Sequence, residues 1–346
     1  MSDLSTPLVC ICVPTYNAGK TLSATLDSIL GQTYRNLVIK VVDNASTDNT
    51  PQIADVCASK DLRVTVIRHA DNVGAEGNFT RCLQLAEGDY TAIFHSDDIY
   101  APQIVEEQVK FFQNNPEAGA VFAMADTCDA TGRVGRSYRL PLALSARPSG
   151  LYDFPAIFKA MLKHGNFLLC PGAMARSEIY KDHIKHWNGD RFNTSADLDV
   201  WLRILQKYPI GVINKPLFNY RVSPASFSYG AGRAKTEPHD LLRVFEAYAA
   251  GFARDLMGPE EKSDYSRLLM NDNVNRSFNL AAMGKPAEAR ALLAGVFRPG
   301  SLSTAFCSVY HLKTVALAVL AALLIFIPLP ERVKRQISIW RFKTRG

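Results

Sequence analysis

Four short apolar runs in the first hundred residues each end in a cluster of polar side chains, and a helix-patterned or turn-bounded stretch separates each run from the next. No other feature restricts the possible folds as strongly. The runs are residues 8–13, 37–42, 64–67 and 90–94, and the intervening helical segments are residues 21–30, about 50–59 and roughly 77–86. Short apolar runs bounded by turn residues suit buried strands, whereas Leu22, Leu26, Ile29 and Leu30 recur at helical spacing. Strand–helix–strand units cross over right-handed and build parallel sheets covered on both faces. The predicted fold class is therefore α/β, a mostly parallel sheet flanked by helices.

Ligands of such sheets bind beyond the carboxyl ends of the strands, so the residues that follow each run matter most. They are Val13-Pro14-Thr15-Tyr16-Asn17, Asp43-Asn44-Ala45-Ser46-Thr47-Asp48, Asn72-Val73-Gly74 and His95-Ser96-Asp97-Asp98. Further along, residues 100–112 read as a helix, 118–124 as a strand, 131–150 as a loop or hairpin, and 168–176 as a strand and turn. Residues 196–207 form an amphipathic helical pattern and 211–222 hold strands ending in Asn219-Tyr220-Arg221. From about 238 to 297 the pattern is helical, with Pro286 opening a helix after a Gly-Lys break. The domain reading is a catalytic domain over 1–235, a helical region over 236–311 and an apolar, membrane-associated segment with a basic tail over 312–346.

Hydrophobic content of 47% in 346 residues supports a folded core and excludes a disordered chain. The formal net charge is +6, yet residues 331–346 hold six basic side chains (Arg332, Lys334, Arg335, Arg341, Lys343, Arg345) against one Glu. The remainder is nearly neutral, which argues against a nucleic-acid partner and raises the question of an acidic surface near this basic segment. Seven scattered cysteines with no Cys-x-x-Cys pair read as reduced, mostly buried thiols of a cytosolic protein. Cys10 and Cys12, two apart in a strand, fall on one face. The opening MSDLSTP does not read as a signal peptide, so the sequons at Asn44, Asn78 and Asn193 are expected to be silent.

Asp97 and Asp98 are hard oxygen donors of the kind Mg or Mn takes, alongside substrate phosphates. Asp43, at another strand end, suits a hydrogen bond from a base or ribose. Each acid alone is explained by a turn or a helix cap; four polar loops at one sheet edge are not. With these motifs, and with Gly88-Asp89-Tyr90 leading into the fourth, residues 8–220 resemble a family 2 glycosyltransferase with the glycosyltransferase A-type fold, of the bacterial cell-surface polysaccharide type. The resemblance covers roughly two thirds of the chain.

The resemblance implies a set of roles. Pro14, Thr15, Tyr16, Asn17 and Asp43 would hold the base and ribose of the donor, with Asn72 and Gly74 nearby. His95-Ser96-Asp97 occupies the Asp-x-Asp position, so Asp97 would bind Mg or Mn and Ser96 would lie against the donor; His95 replaces the usual first Asp. The family's Glu-Asp pair opening a helix corresponds to Ala196-Asp197, continued by Leu198-Asp199-Val200-Trp201-Leu202-Arg203, which makes Asp197 the implied catalytic base and Asp199 its alternative. Tyr220 and Arg221, with Ser223, Ser226 and Ser228, resemble a loop that closes on the diphosphate, and 170–176 occupy the acceptor's place. The activity implied is inverting, metal-dependent transfer of a sugar from a nucleotide-diphosphate sugar, expected to be a UDP-sugar, to a hydroxyl of a glycan or lipid-linked acceptor. A catalytically inactive nucleotide-sugar-binding protein or scaffold is the alternative raised by His95 and Ala196. A processive synthase lacks support, since there is no Gln-x-x-Arg-Trp motif and no set of spanning helices. A nucleotidyltransferase would need a Gly-rich basic opening loop.

Residues 314–330 are seventeen positions without a charge. A helix of that length reaches about 25 Å at ~1.5 Å per residue, short of a ~30 Å hydrocarbon core. Ile337, Ile339, Trp340 and Phe342 interleave with the cations that follow. That pattern predicts monotopic or hairpin attachment to an anionic membrane surface, on the cytoplasmic face of the inner membrane.

Overall fold

The computed structural model describes residues 6–222, 235–296 and 309–327, with positions 330, 332, 333, 336 and 339 beyond them. The chain divides into two compact units, Met1–Val222 and Ser223–Gly346.

The first unit is built on one mixed sheet. Strands β1 (Val9–Thr15), β2 (Leu37–Asp43), β3 (Val64–Arg68) and β4 (Tyr90–Ile93) are joined by helices α1 (Leu22–Leu30), α2 (Thr50–Lys60) and α3 (Gly74–Gln84). After β5 (Ile99–Tyr100) and α4 (Ile104–Asn114) come β6 (Ala120–Cys128), β7 (Val134–Ser137), β8 (Ser149–Tyr152), α5 (Phe154–His164) and β9 (Ala173–Arg176). A π-turn (Ile179–Ile184), α6 (Gly189–Phe192), α7 (Ala196–Leu205) and the long β10 (Ile210–Arg221) complete it. The strand order is β3-β2-β1-β4-β9-β6-β10-β5, with β7 on β6 and β8 on β10.

β3, β2, β1 and β4 pair in parallel, in register from Val9 opposite Leu37 to Thr15 opposite Asp43. Beyond them the expectation of a mostly parallel sheet needs correction: β9 runs antiparallel to both β4 and β6, and β5 runs antiparallel to β10. The reason lies in the direction of entry. Met174 faces Ala92 and Arg176 faces Tyr90, so the chain enters β9 at the carboxyl edge of β4. Residues 166–170 are thereby held at the edge where the four polar loops emerge. Gly172 makes this approach possible, because a Cβ there would meet the Ala123 carbonyl oxygen at 2.5 Å.

The core between sheet and helices is aliphatic under β1 and β2 (Val9, Ile11, Val13, Ile39, Val41 with Leu22, Leu26, Ile29). It turns aromatic under β4 and β10, where Phe94 stacks on Tyr100 at 3.8 Å and Tyr100 on Phe218 at 5.8 Å. Of the described cysteines, Cys10, Cys12, Cys82, Cys128 and Cys170 are buried and free, and Cys57 is half-buried. Cys10 and Cys12 share one face as their spacing requires, Sγ to Sγ 3.8 Å.

The second unit is helical: α8 (Asp240–Ala250), α9 (Pro259–Ala282), α10 (Pro286–Leu293) and α11 (Val309–Phe326). Gly284, at φ +78°, turns the chain between α9 and α10. Met270, Val274 and Phe278 of α9, Ala289 and Leu293 of α10, and Ala318, Ala321 and Ile325 of α11 form one core. The apolar run of the sequence is thus a helix with one side packed on its neighbours. No helix among the described residues is long and apolar enough to cross a membrane.

Candidate active site

The loops after β1, β2 and β3 are tied into one platform. The Asn44 amide reaches across it: Nδ2 donates to Asn72 Oδ1 and to the Gly74 carbonyl, both at 3.0 Å, while Oδ1 accepts from the Val73 N–H at 2.9 Å. Asn17, at φ +49°, accepts on Oδ1 from the Thr47 N–H at 2.8 Å. Buried Asp43 accepts on Oδ1 from the Ser46 hydroxyl at 2.5 Å and the Ser46 N–H at 3.2 Å. Pro14 and Thr15 are buried at the end of β1, and Tyr16 stands 48% exposed on the rim. Asn72 and Gly74 are exposed, and Gly74 sits at φ +75° with open space around it. Pro14, Thr15, Tyr16, Asn17, Asp43, Asn72 and Gly74 therefore lie together. Asp48 serves the backbone, accepting from Gly19 N and Thr50 N at 3.0 and 2.9 Å, which is the capping use its position allows.

The fourth loop carries the acid cluster. Donor atoms of His95, Asp97 and Asp98 lie within 4.8 Å of one another. Asp98 is fully buried; its Oδ1 accepts from the Arg221 N–H at 2.7 Å, and its Oδ2 has no hydrogen-bond partner among the described residues. Burial, with the charge of Asp97 beside it, pushes the Asp98 carboxyl well above the usual carboxylate range. His95 Nε2 is likewise buried and unpartnered, and burial lowers the imidazole pKa against the opposing pull of Asp97. The ring packs edge-on against Phe79 at 5.5 Å, and Phe79 stacks on Trp187 at 4.7 Å. Two buried donor atoms without partners among the described residues, in contact range of the Asp97 carboxylate, fit a divalent cation. Asp97 and Asp98 would hold it with His95, and Ser96 lies in the same turn, its carbonyl accepting from Thr21 and Thr25 at 2.9 and 3.1 Å.

A second carboxylate faces this edge from α7. Asp197 is partly exposed, with the Leu198 N–H donating to Oδ1 at 2.8 Å and Asn166 Nδ2 at 3.5 Å from Oδ2. Burial outweighs these bonds and raises its pKa to about 6. Asp199 is different: its Oδ2 accepts from Arg203 Nε at 2.9 Å and from Asn188 Nδ2 at 2.7 Å. The Arg203 guanidinium also donates to the Ile184 and His186 carbonyls, both at 2.9 Å, so Asp199 fastens the π-turn segment to α7. The thiol of buried Cys170 links the two acidic regions. Burial pushes it up, and the negative fields of both Asp197 and Asp98 push it further.

Tyr220 and Arg221 end β10 beside the acid cluster. The Tyr220 ring meets Tyr138 edge-on at 6.3 Å. Arg221 Nε donates to the Asp97 carbonyl at 2.8 Å, and Nη1 donates to the carbonyls of Asp129 and Ala130 at 2.9 and 3.2 Å. Its guanidinium thus braces the backbone of the acid-cluster loop. Ser223, Ser226 and Ser228 lie outside the described residues.

A family model described as Glycosyl transferase family 2 matches residues 10–184. The chain belongs to that family. Among its relatives, an uncharacterized glycosyltransferase of Methanocaldococcus jannaschii is 28% identical over 225 residues, 64% of this chain and 73% of that protein. The Escherichia coli glucosyltransferase WfaP is 36% identical over 106 residues, 31% of this chain and 41% of its own. The fold is similar to that of S. aureus TarS residues 1-349, at a TM-score of 0.53 and 17% identity, covering 82% of this chain and 88% of that one.

In this family 2 glycosyltransferase the sheet edge brings the platform residues, His95, Asp97, Asp98 and Arg221 to neighbouring strand ends. Three contributors escaped the sequence reading. Asn44 bridges the loops after β2 and β3, Asn166 supports Asp197, and Trp187 walls the His95 side through Phe79. Asn44 carried a signal, since it adjoins Asp43 in a strand-end cluster. Asn166 and Trp187 carried none, because only the reversed entry into β9 and the π-turn bring them to this edge.

Proposed function

We propose that this glycosyltransferase moves a sugar with inversion from a UDP-sugar to a hydroxyl of a lipid-linked oligosaccharide or surface-polysaccharide acceptor, using Mg or Mn. The observation that carries this is the pairing of two unlike carboxylate settings at one edge. One is a cluster with two buried donor atoms that lack partners among the described residues; the other is Asp197, whose carboxyl makes no ion pair among the described residues and is raised to about 6. The name of WfaP, which specifies a UDP-glucose donor, a diphosphoundecaprenol-linked acceptor and a beta-1,3 product, supports the same class of donor and acceptor here.

The base and ribose rest on the platform of Thr15, Tyr16, Asn17 and Asp43. The diphosphate faces Asp97, Asp98 and His95, which would hold a divalent cation, and that ion would supply neutralisation of the charge on the leaving nucleoside diphosphate. Asp197 takes the proton of the acceptor hydroxyl as that oxygen attacks the anomeric carbon from the face opposite the departing diphosphate. One C–O bond forms, one breaks, and the proton ends on Asp197 before passing to solvent. Near neutral pH a base raised to about 6 is ionised yet more basic than a surface carboxylate, the range in which general-base catalysis is effective.

The test is nucleoside diphosphate release by the purified full chain with a panel of nucleotide sugars, in Mn or Mg. Asp97→Ala should abolish release and Asp197→Asn should slow it by ~10²–10⁴, and unchanged turnover in both variants overturns the reading. Donor binding by calorimetry without turnover on any acceptor would assign the chain instead to a nucleotide-sugar-binding role.

A further inference from the structure

Helix α11 has two apolar faces with different fates. Thr314, Ala318, Ala321 and Ile325 are buried, packed with α9 and α10 in the core of the second unit. On the opposite side Leu312, Val319, Leu323 and Phe326 are 53%, 46%, 44% and 63% exposed, and Ile327 follows at 46%. Steps of seven, four and three residues align these side chains in one stripe along the helix. Single exposed apolar residues need no explanation; a continuous stripe of large ones marks a contact surface.

The flanking charge says what covers it. Lys313 is exposed at one end of the stripe and Arg332 beyond the other, and residues 331–346 hold six basic side chains against one acid. Val333 and Ile339, 40% and 50% exposed, continue the apolar character among those cations. A second copy of the chain docked on the stripe would bring two such basic segments together. Anionic headgroups neutralise them instead. The buried face excludes a spanning arrangement, because crossing would strip Ala318, Ala321 and Ile325 from the α9–α10 core.

We infer that α11 lies in the plane of a membrane interface, with the Leu312, Val319, Leu323 and Phe326 stripe among the acyl chains and the basic segment on anionic headgroups. The chain is anchored to the surface without crossing it. The inference stands apart from the transferase reading, since binding to lipid requires no donor.

Vesicle flotation of the full chain tests it. The protein should float with phosphatidylcholine–phosphatidylglycerol vesicles and stay at the bottom with phosphatidylcholine alone. Val319→Asp combined with Leu323→Asp should remain at the bottom with both, with thermal unfolding unchanged because both sites are on the surface. Arg332→Gln, Lys334→Gln and Arg335→Gln together leave the helix intact and should weaken partitioning on the order of a hundredfold. Flotation of these variants equal to the parent, or no flotation of the parent with anionic vesicles, overturns the proposal. A parent dimer in light scattering that the stripe variant splits would overturn it in favour of a second copy.

Discussion

Asp197 and Asp199 stand two positions apart on α7, and their neighbours give them opposite chemistry. Asp199 is tied to Arg203 and Asn188, so it is occupied with structure. Breaking a buried pair from one side strands the other charge, and Asp199→Ala should cost about 3–5 kcal/mol in chemical denaturation. Asp197 has a long amide contact and backbone N–H groups, and makes no ion pair among the described residues. Asp197→Asn should lower kcat by ~10²–10⁴ while leaving donor affinity, read by calorimetry, nearly intact. Its acid limb follows from the same burial: kcat/KM should rise with pH through about 6. The stability effect has the opposite sign. The folded carboxyl holds its proton to about 6 against 3.8 in an ordinary setting, so the stability it contributes is present in acid and lost as pH rises through that value. Asp197→Asn should therefore raise Tm at neutral pH and leave it unchanged below about pH 4. His95 makes the cluster a nitrogen-and-oxygen donor set, which favours Mn over Mg more than an all-carboxylate set does. His95→Asp should shift the ratio of the two Kd values, measured calorimetrically on the protein alone, toward Mg.

At the scale of elements, the platform depends on loops that cannot be rigid separately. Asn44 serves the loops after β2 and β3 at once. Removing its amide breaks the ties between the two loops, at about 1–3 kcal/mol, although Asn72 Oδ1 keeps the Gly74 N–H, so Asn44→Ala should raise KM for the donor more than it lowers kcat. Much of this edge was legible in sequence. Short apolar runs bounded by turn residues, alternating with helical segments, marked β1 to β4 and α1 to α3, and parallel pairing then forced their polar ends to one side. The remainder of the sheet was not legible, because pairing direction is set by where a strand is entered. β9 is four residues, Ala173–Arg176, with no pattern to distinguish parallel from antiparallel. The choice between Asp197 and Asp199 was open for a similar reason: the partners that occupy Asp199 include Asn188, which a π-turn and a four-residue helix bring back to α7. Arg221 looked available to a phosphate, and only the folded loop shows its donors meeting the carbonyls of Asp97, Asp129 and Ala130.

At the scale of the molecule, the apolar run that composition alone marks as lipid-facing is divided between a core and a surface. Deleting residues 312–346 would uncover Val274, Phe278 and Leu293, so point changes on the stripe probe attachment more cleanly than truncation. Phe278 is fully buried in that core, and Phe278→Ala should cost about 3–5 kcal/mol, seen as faster amide exchange in α9 and α10. The first unit is organised differently, by contacts distant in sequence. The carboxylate of Asp98 takes the N–H of Arg221, 123 positions later. During synthesis the motif by which the cluster is recognised leaves the ribosome well before the strand that seats it, and nascent chains order from the amino end. A product cut short before residue 221 would carry every residue of the acid cluster and none of its final brace. Such fragments should gain metal affinity only when the missing strand is supplied, which makes completion of β10 the step at which this polypeptide becomes competent.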